Sequence, residues 1–166
     1  MRYKQCFHTL EEQHYLLYNY VGLSNVCLLA IAMSLSEISK PGRKIQIKAG
    51  QIEAMADLND TKTAQAIWEA LPLKGHVNLW GDEIYFSIPL GFELEGGREL
   101  VSVGDLGYWP RGNAFCIFFG ATPISQGEEI RPASPVTVFG RVTSDTTVFK
   151  QVASGTEIII GRVDNG

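Results

Sequence analysis

The sequence lacks several features that would assign it directly to a class of function. No block of lysine or arginine forms a basic stripe and the formal net charge is −4, which argues against binding of nucleic acid through its phosphates. Neither a Gly-x-Gly-x-x-Gly motif nor a Walker-type phosphate loop is present. Only 19% of the residues are charged and 45% are hydrophobic. We therefore expect a folded domain with a hydrophobic core.

Cysteine and histidine are scarce, with three of each in 166 residues. The cysteines lie far apart and are odd in number, so they predict neither a metal motif nor a disulfide framework. The histidines do not have metal-ligand spacing, and we expect no metal and no other cofactor. We interpret Cys116 as a small core residue because it lies in an apolar strand. A catalytic thiol there would need a nearby base, which no sequence feature supplies.

The N-terminal residues 1–40 differ in composition from the rest of the chain. No Asp, Glu, Lys or Arg occurs in Gln13–Ser36, and Tyr15–Leu35 is long enough to cross a bilayer as a helix. Three interpretations stay open. The segment is a dispensable or non-native extension, with Met33 as the true start, or a signal or membrane anchor, or a helix packed on the domain.

The rest of the chain predicts a β-rich domain. Lys44–Ala49 alternates apolar and polar residues at period two, which is typical of a half-buried strand, and Gln51–Leu58 pairs back on it after a glycine turn. Asp60 or Thr61 caps the helix that follows. Pro72 ends this helix because proline lacks an amide proton.

Later elements are mostly strands joined by glycine- and proline-containing turns. A hairpin pairs Val77–Trp80 with Glu83–Ile88 through Gly81-Asp82. The elements predicted after it are a turn region at Gly104–Asn113, a strand at Phe115–Phe119, a loop at Ala121–Pro135, a strand at Val136–Val142, a short helix from Asp145 to Val152 and a strand at Glu157–Val163. Parallel βαβ repetition is absent, and we expect a closed barrel of about eight strands with two short helices.

Several local motifs resemble those of a known family. They are TAQAIWEALP (63–72), NLWGDEIYFSIP (78–89), VGDLGYWPRGNAFCIFFGATPIS (103–125) and EIRPASPVTVFGRV (129–142). In these motifs the chain resembles the cyclophilin-like barrel, and above all the prokaryotic single-domain cyclophilin-like proteins of unknown function. The resemblance covers Arg43 to Val163 and implies a mainly β, cyclophilin-like fold. We therefore expect an apolar, helix-like extension at residues 1–40 and a barrel domain at residues 41–166.

The resemblance does not extend to the catalytic groups of the prolyl isomerases in this fold. True cyclophilins use an arginine on one groove strand to ease rotation about the prolyl bond, which has a barrier of about 20 kcal/mol. The matching strand here, Tyr85–Pro89, contains no Arg, Lys or His. Asn113-Ala114 stands where the family's groove glutamine is expected. The resemblance thus implies the barrel without the principal polar group of the isomerase.

One group of aromatic and charged residues predicts a ligand site. Glu83 and Tyr85 share a strand face, and two loop arginines could bind a carboxylate or phosphate through paired donors. Aromatic walls with a few polar groups are typical of small-molecule pockets. The predicted ligand-binding residues are Trp80, Glu83, Tyr85, Tyr108, Trp109, Arg111 and Arg131. The alternative is that the aromatics fill the barrel and its rim and that Glu83 forms a structural ion pair with one of the arginines.

Three functions are compatible with these observations. The leading hypothesis is a module that binds a small ligand or a peptide without isomerase activity. The alternatives are a weak or divergent peptidyl-prolyl isomerase that uses Arg111 or Arg131, and a small-metabolite enzyme that uses Glu83 as an acid or base. The expected partner is a small molecule or peptide and not nucleic acid; a homodimer stays open. We expect a cytoplasmic location, with export or membrane anchoring through residues 15–35 as the alternative.

Overall fold

The computed structural model describes residues 42–163. The predicted N-terminal extension, residues 1–40, lies outside the described residues, together with the signal, anchor and packed-helix interpretations placed on it. Among residues 42–163, no helix is both long and apolar enough to cross a membrane.

The described residues form nine strands, one α-helix and two 3-10 helices. The strands are Lys44–Ala49 (β1), Ile52–Leu58 (β2), Leu73–His76 (β3), Asn78–Leu79 (β4), Glu83–Ser87 (β5), Asp105–Trp109 (β6), Ala114–Phe118 (β7), Thr137–Val142 (β8) and Glu157–Arg162 (β9). The helices are Lys62–Ala70 (α1) and the 3-10 helices Pro110–Gly112 and Thr146–Gln151.

All nine strands belong to one antiparallel sheet that curls into a nearly closed barrel. Their order is β3-β9-β1-β2-β8-β6-β7-β5-β4. At the seam, β3 meets β5 through side chains: a Cβ added to Gly75 would lie 2.6 Å from the ring of Phe86. The predicted mainly β barrel is thus confirmed for the described part of the chain. The tight contact at Gly75 lets the two ends of the sheet approach.

Helix α1 begins and ends where the sequence predicts. The side chain of Thr61 accepts a hydrogen bond from the Ala64 amide at 3.1 Å, so Thr61, rather than Asp60, is the capping residue. Ala64 and Ile67 are fully buried because they lie on the apolar face of the helix. Pro72 follows the last turn and ends the helix.

Alternation along the strands builds two apolar clusters on opposite faces of the sheet. On β5, Ile84 and Phe86 join the main core inside the barrel, whereas Tyr85 packs against a second cluster outside it. Two loops cover the second cluster and are joined by the bridge between Val101 and Ile130. The buried members of this outer cluster are Val101, Ala114, Cys116, Phe118, Ile130 and Val136.

Two strands are absent from the sequence predictions. β3 follows Pro72 directly and pairs with β9. β6 occupies half of Gly104–Asn113, where a turn region was expected, so that expectation is wrong for Asp105–Trp109. The glycine that suggested a turn has a packing role, because a Cβ on Gly107 would lie 2.9 Å from the Phe118 ring.

Candidate functional site

A pocket of about 260 Å³ opens on the outer face of the barrel, beside the outer cluster. Its volume lies just below the range of about 300–1,000 Å³ that is typical of small-molecule sites. Four of the seven predicted ligand-binding residues line it, and they come from the β4–β5 hairpin and the end of β6. The lining residues are Trp80, Glu83, Tyr85, Trp109, Pro132, Ala133 and Val136.

Glu83 is the only acidic residue of this lining, and it is buried, with 6% of its surface exposed. Glu83 is the first residue of β5 and faces away from the barrel interior, on the same side as Tyr85. Desolvation raises the pKa of its carboxyl to about 7, and a hydrogen bond with the Cys116 thiol offsets part of that rise. Near neutral pH this carboxyl therefore exists in both protonation states.

Cys116 is the side-chain partner of Glu83, a contact that the sequence did not reveal. Tyr85 pairs with Cys116 across β5 and β7, which places the thiol on the same face as Glu83. The thiol is buried, as predicted, although in the outer cluster. Burial, followed by the nearby Glu83 carboxylate, raises its pKa well above the ordinary value. Cys116 is therefore a neutral hydrogen-bond donor rather than a thiolate nucleophile.

The wall opposite Glu83 is held in place by the loop that follows β7. The indole Nε1 of Trp109 donates to Ser134 Oγ at 2.8 Å, which orients the ring at the pocket edge. Pro132 and Ala133 complete this wall. These two residues could not be predicted from the sequence, because apolar loop residues carry no chemical signature.

Hydroxyl groups within the same loop fix its shape. Ser125 Oγ accepts from the Thr122 amide at 3.0 Å and from the Arg131 amide at 3.1 Å. Thr122 Oγ1 donates to the Arg131 carbonyl at 2.5 Å. These two hydroxyl groups therefore tie the start of the loop to Arg131, just before the pocket wall. They act as loop supports, since each is already bonded within the loop.

The two predicted loop arginines do not line the pocket. The guanidinium of Arg131 binds Glu129 through two hydrogen bonds of 2.8 and 3.2 Å, which lowers the pKa of the Glu129 carboxyl. Arg111 is exposed in the 3-10 turn that follows β6. Neither forms an ion pair with Glu83 among residues 42–163, so the alternative of such a pair is wrong there.

Tyr108 lies on the opposite face of β6 from Trp109. It is fully buried in the main core, and its hydroxyl lies 2.9 Å from Asn113 Oδ1 and 3.2 Å from the Leu90 carbonyl. The Phe92 amide donates to the same hydroxyl at 3.1 Å. Tyr108 therefore holds the chain segment after β5 against the barrel, and it contributes no surface to the pocket.

Within residues 42–163, no cluster of histidine, cysteine and acidic side chains is arranged to hold a metal ion. The chemistry that the pocket offers is that of one carboxyl, one phenol and two indoles. This set can accept hydrogen bonds, stack on planar groups and contact cations through aromatic faces.

Comparison with known proteins identifies relatives of the chain. The model of the family described as Cyclophilin-like matches residues 43–161. The solution structure of the hypothetical protein AF2241 from Archaeoglobus fulgidus is 37% identical with a TM-score of 0.64, over 75% of this chain and 99% of that one. McbB, solved in complex with tryptophan, is 17% identical with a TM-score of 0.55, over 74% of this chain and 45% of McbB, and shows the fold alone. No curated protein matches the sequence.

Proposed function

The chain belongs to the cyclophilin-like family, and we propose that it is a binding module that holds a small ligand in the outer-face pocket. One observation carries the proposal: a concave apolar wall with three aromatic side chains surrounds a single buried carboxyl. Pockets that combine apolar walls with a few placed polar groups are the usual sites for small molecules. The end of a peptide that presents a side chain of similar size would fit the same description.

Prolyl isomerase activity is not favoured by this arrangement. A groove that eases rotation of a prolyl bond needs a donor near the proline nitrogen, and no arginine lines the pocket. The arginine of the adjoining loop is occupied by Glu129. We therefore expect the full-length protein to leave a proline-containing peptide at its uncatalysed isomerisation rate.

Acid–base catalysis at Glu83 is the second candidate. It is favoured by the raised pKa of this carboxyl, about 7, because groups that titrate near the working pH transfer protons most effectively in both directions. Such catalysis would use the same pocket and would require the ligand to be converted during incubation.

A thermal-shift screen of the full chain, together with a prolyl-isomerisation assay on the peptides, tests the three functions. The panel contains neutral, cationic and anionic small molecules and proline-containing peptides, compared for wild type, Trp109→Ala and Arg111→Ala. Binding in the pocket predicts a shift that Trp109→Ala removes and Arg111→Ala preserves. Chromatography of each active compound after incubation separates binding from turnover. Rapid peptide isomerisation that Arg111→Ala or Arg131→Ala abolishes would contradict the proposal and support the isomerase alternative.

A further inference from the structure

We propose that the ligand of this pocket is a cationic amine with a small apolar or aromatic body, bound through its ammonium group to Glu83. The inference rests on the proposed function and specifies the ligand class. It follows from the charge of the pocket, from the partners already engaged and from the nature of the walls.

The carboxylate of Glu83 has no positively charged partner among residues 42–163. An ionised carboxylate has about four acceptor positions, and the partner of the Glu83 side chain is the thiol of Cys116. No lysine, arginine or histidine among residues 42–163 forms an ion pair with it. A buried carboxylate without a cation is costly, so a ligand that brings the positive charge gains the interaction that the protein omits.

The groups that face Glu83 reinforce this preference. Cys116 on β7 is held neutral, and Tyr85, which lies on β5 with Glu83, presents a phenol. From the loop side, Pro132 and Ala133 face the pocket and carry no charge. An anionic ligand would lie beside a carboxylate with no cationic wall to receive it, since Arg131 is bound to Glu129. The pocket therefore selects against carboxylates and phosphates.

The walls favour an amine with an apolar body. Trp80, Tyr85 and Trp109 provide aromatic surface for a hydrophobic group, and their faces also attract an ammonium ion. A cavity of about 260 Å³ accommodates a single ring with a short side chain more readily than a larger metabolite. An amine with an apolar body can therefore pair with the carboxylate and pack against the aromatic walls at the same time.

The experiment uses three probes of matched shape: 2-phenylethylamine, 2-phenylethanol and 3-phenylpropanoate. They are titrated into the full-length protein at pH 6 and pH 8, and the tryptophan indole N–H signals are followed by two-dimensional NMR. Trp80 and Trp109 report on the pocket. Trp68, on α1 and stacked under Arg162, is the internal control. Glu83→Gln is the test variant and Glu128→Gln, in the exposed part of the loop, is its matched control.

We expect the amine to bind more tightly than the alcohol at pH 8 and the carboxylate to bind least. The affinity of the amine should rise about tenfold from pH 6 to pH 8, in step with the ionised fraction of Glu83, because the amine itself stays protonated throughout. Glu83→Gln should reduce amine binding to the level of the alcohol, and Glu128→Gln should not. If the variant does not fold, the wild-type pH dependence still decides the matter.

Three other outcomes separate this inference from the proposed function. Equal binding of amine and alcohol at both pH values, at the indole signals of Trp80 and Trp109, would overturn the amine inference and leave the binding module in place. The same holds if the carboxylate binds best. If none of the three probes moves either pocket signal, the amine inference fails, and the thermal-shift panel with Trp109→Ala decides separately whether the pocket binds another small molecule.

Discussion

Replacement of Glu83 by glutamine is expected to remove a loss of stability that occurs as the pH rises. Burial raises the pKa of this carboxyl from 4.5 in the unfolded chain to about 7 in the folded protein. Between these values the folded state binds more protons than the unfolded state, so the free energy of unfolding falls with pH. The stabilisation is complete below pH 4.5 and is lost as the pH rises to about 7.

The magnitude follows from the size of the shift. Each pKa unit corresponds to about 1.4 kcal/mol, so the full shift amounts to about 3 kcal/mol, of which about 2–3 kcal/mol falls between pH 5 and pH 8. The carboxyls of Glu95, Glu129 and Asp145 have lowered pKa values. Their contributions have the opposite sign and are lost as the pH falls below 4.5, outside this window.

Urea unfolding followed by tryptophan fluorescence at pH 5, 6, 7 and 8 measures the effect. The free energy of unfolding should fall in parallel for wild type and Glu128→Gln as the pH rises. Glu83→Gln should lack this fall and should be more stable than wild type at pH 8. Comparison of the variants cancels the titration of every other group. A wild-type pH slope retained in Glu83→Gln would refute the reasoning, because the proton would then belong to another residue.

Three further substitutions test separate parts of the structure. Tyr108→Phe removes the hydroxyl that accepts a hydrogen bond from the part-buried Phe92 amide, so urea unfolding should show a loss of about 1–3 kcal/mol; an unchanged midpoint would contradict this. Glu95→Gln replaces the carboxylate that accepts hydrogen bonds from the first two amides of α1 by a neutral side-chain amide, which is a weaker acceptor. Those amides should exchange hydrogen faster at pH 7, and wild type should approach the variant as the pH falls below 4.5 and the carboxyl protonates. Gly107→Ala forces a Cβ within 2.9 Å of a phenylalanine ring and should cost about 1–3 kcal/mol, whereas Gly161→Ala, with no atom within 4 Å of its added Cβ, should not; equal thermal midpoints would argue against the packing role.

The strands that sequence could predict are those whose own residues alternate strongly. β1 has the predicted bounds, and β5 and β7 differ by a residue at their ends, because their alternation or continuous apolarity needs no partner to be recognised. β3 has four residues with an exposed lysine and histidine, and its pairing with β9 alone makes it a strand. β6 was not predicted because Gly107 suggested a turn. The structure shows that a glycine is needed there for a close contact with Phe118 on the neighbouring strand β7.

The pocket was predictable where its residues share a hairpin and unpredictable where distant segments meet. Glu83 and Tyr85 alternate along one strand, so their common face could be derived from spacing. The hydrogen bond to Cys116 depends on the register between β5 and β7, which the sequence does not specify. From the sequence Arg131 is a candidate for binding a ligand, whereas in the structure its guanidinium is paired with Glu129.

The separation of core and pocket by a single sheet has a consequence for protein engineering. On β5, Phe86 belongs to the core inside the barrel, whereas its neighbour Tyr85 packs against the outer cluster and lines the pocket. A mutant library restricted to Trp80, Tyr85 and Trp109 would therefore change the lining of the pocket without repacking the barrel interior. On β5 and β6, residues that pack in the core alternate with residues that line the pocket, so the domain offers a scaffold for directed evolution in which the pocket can be varied separately from the core.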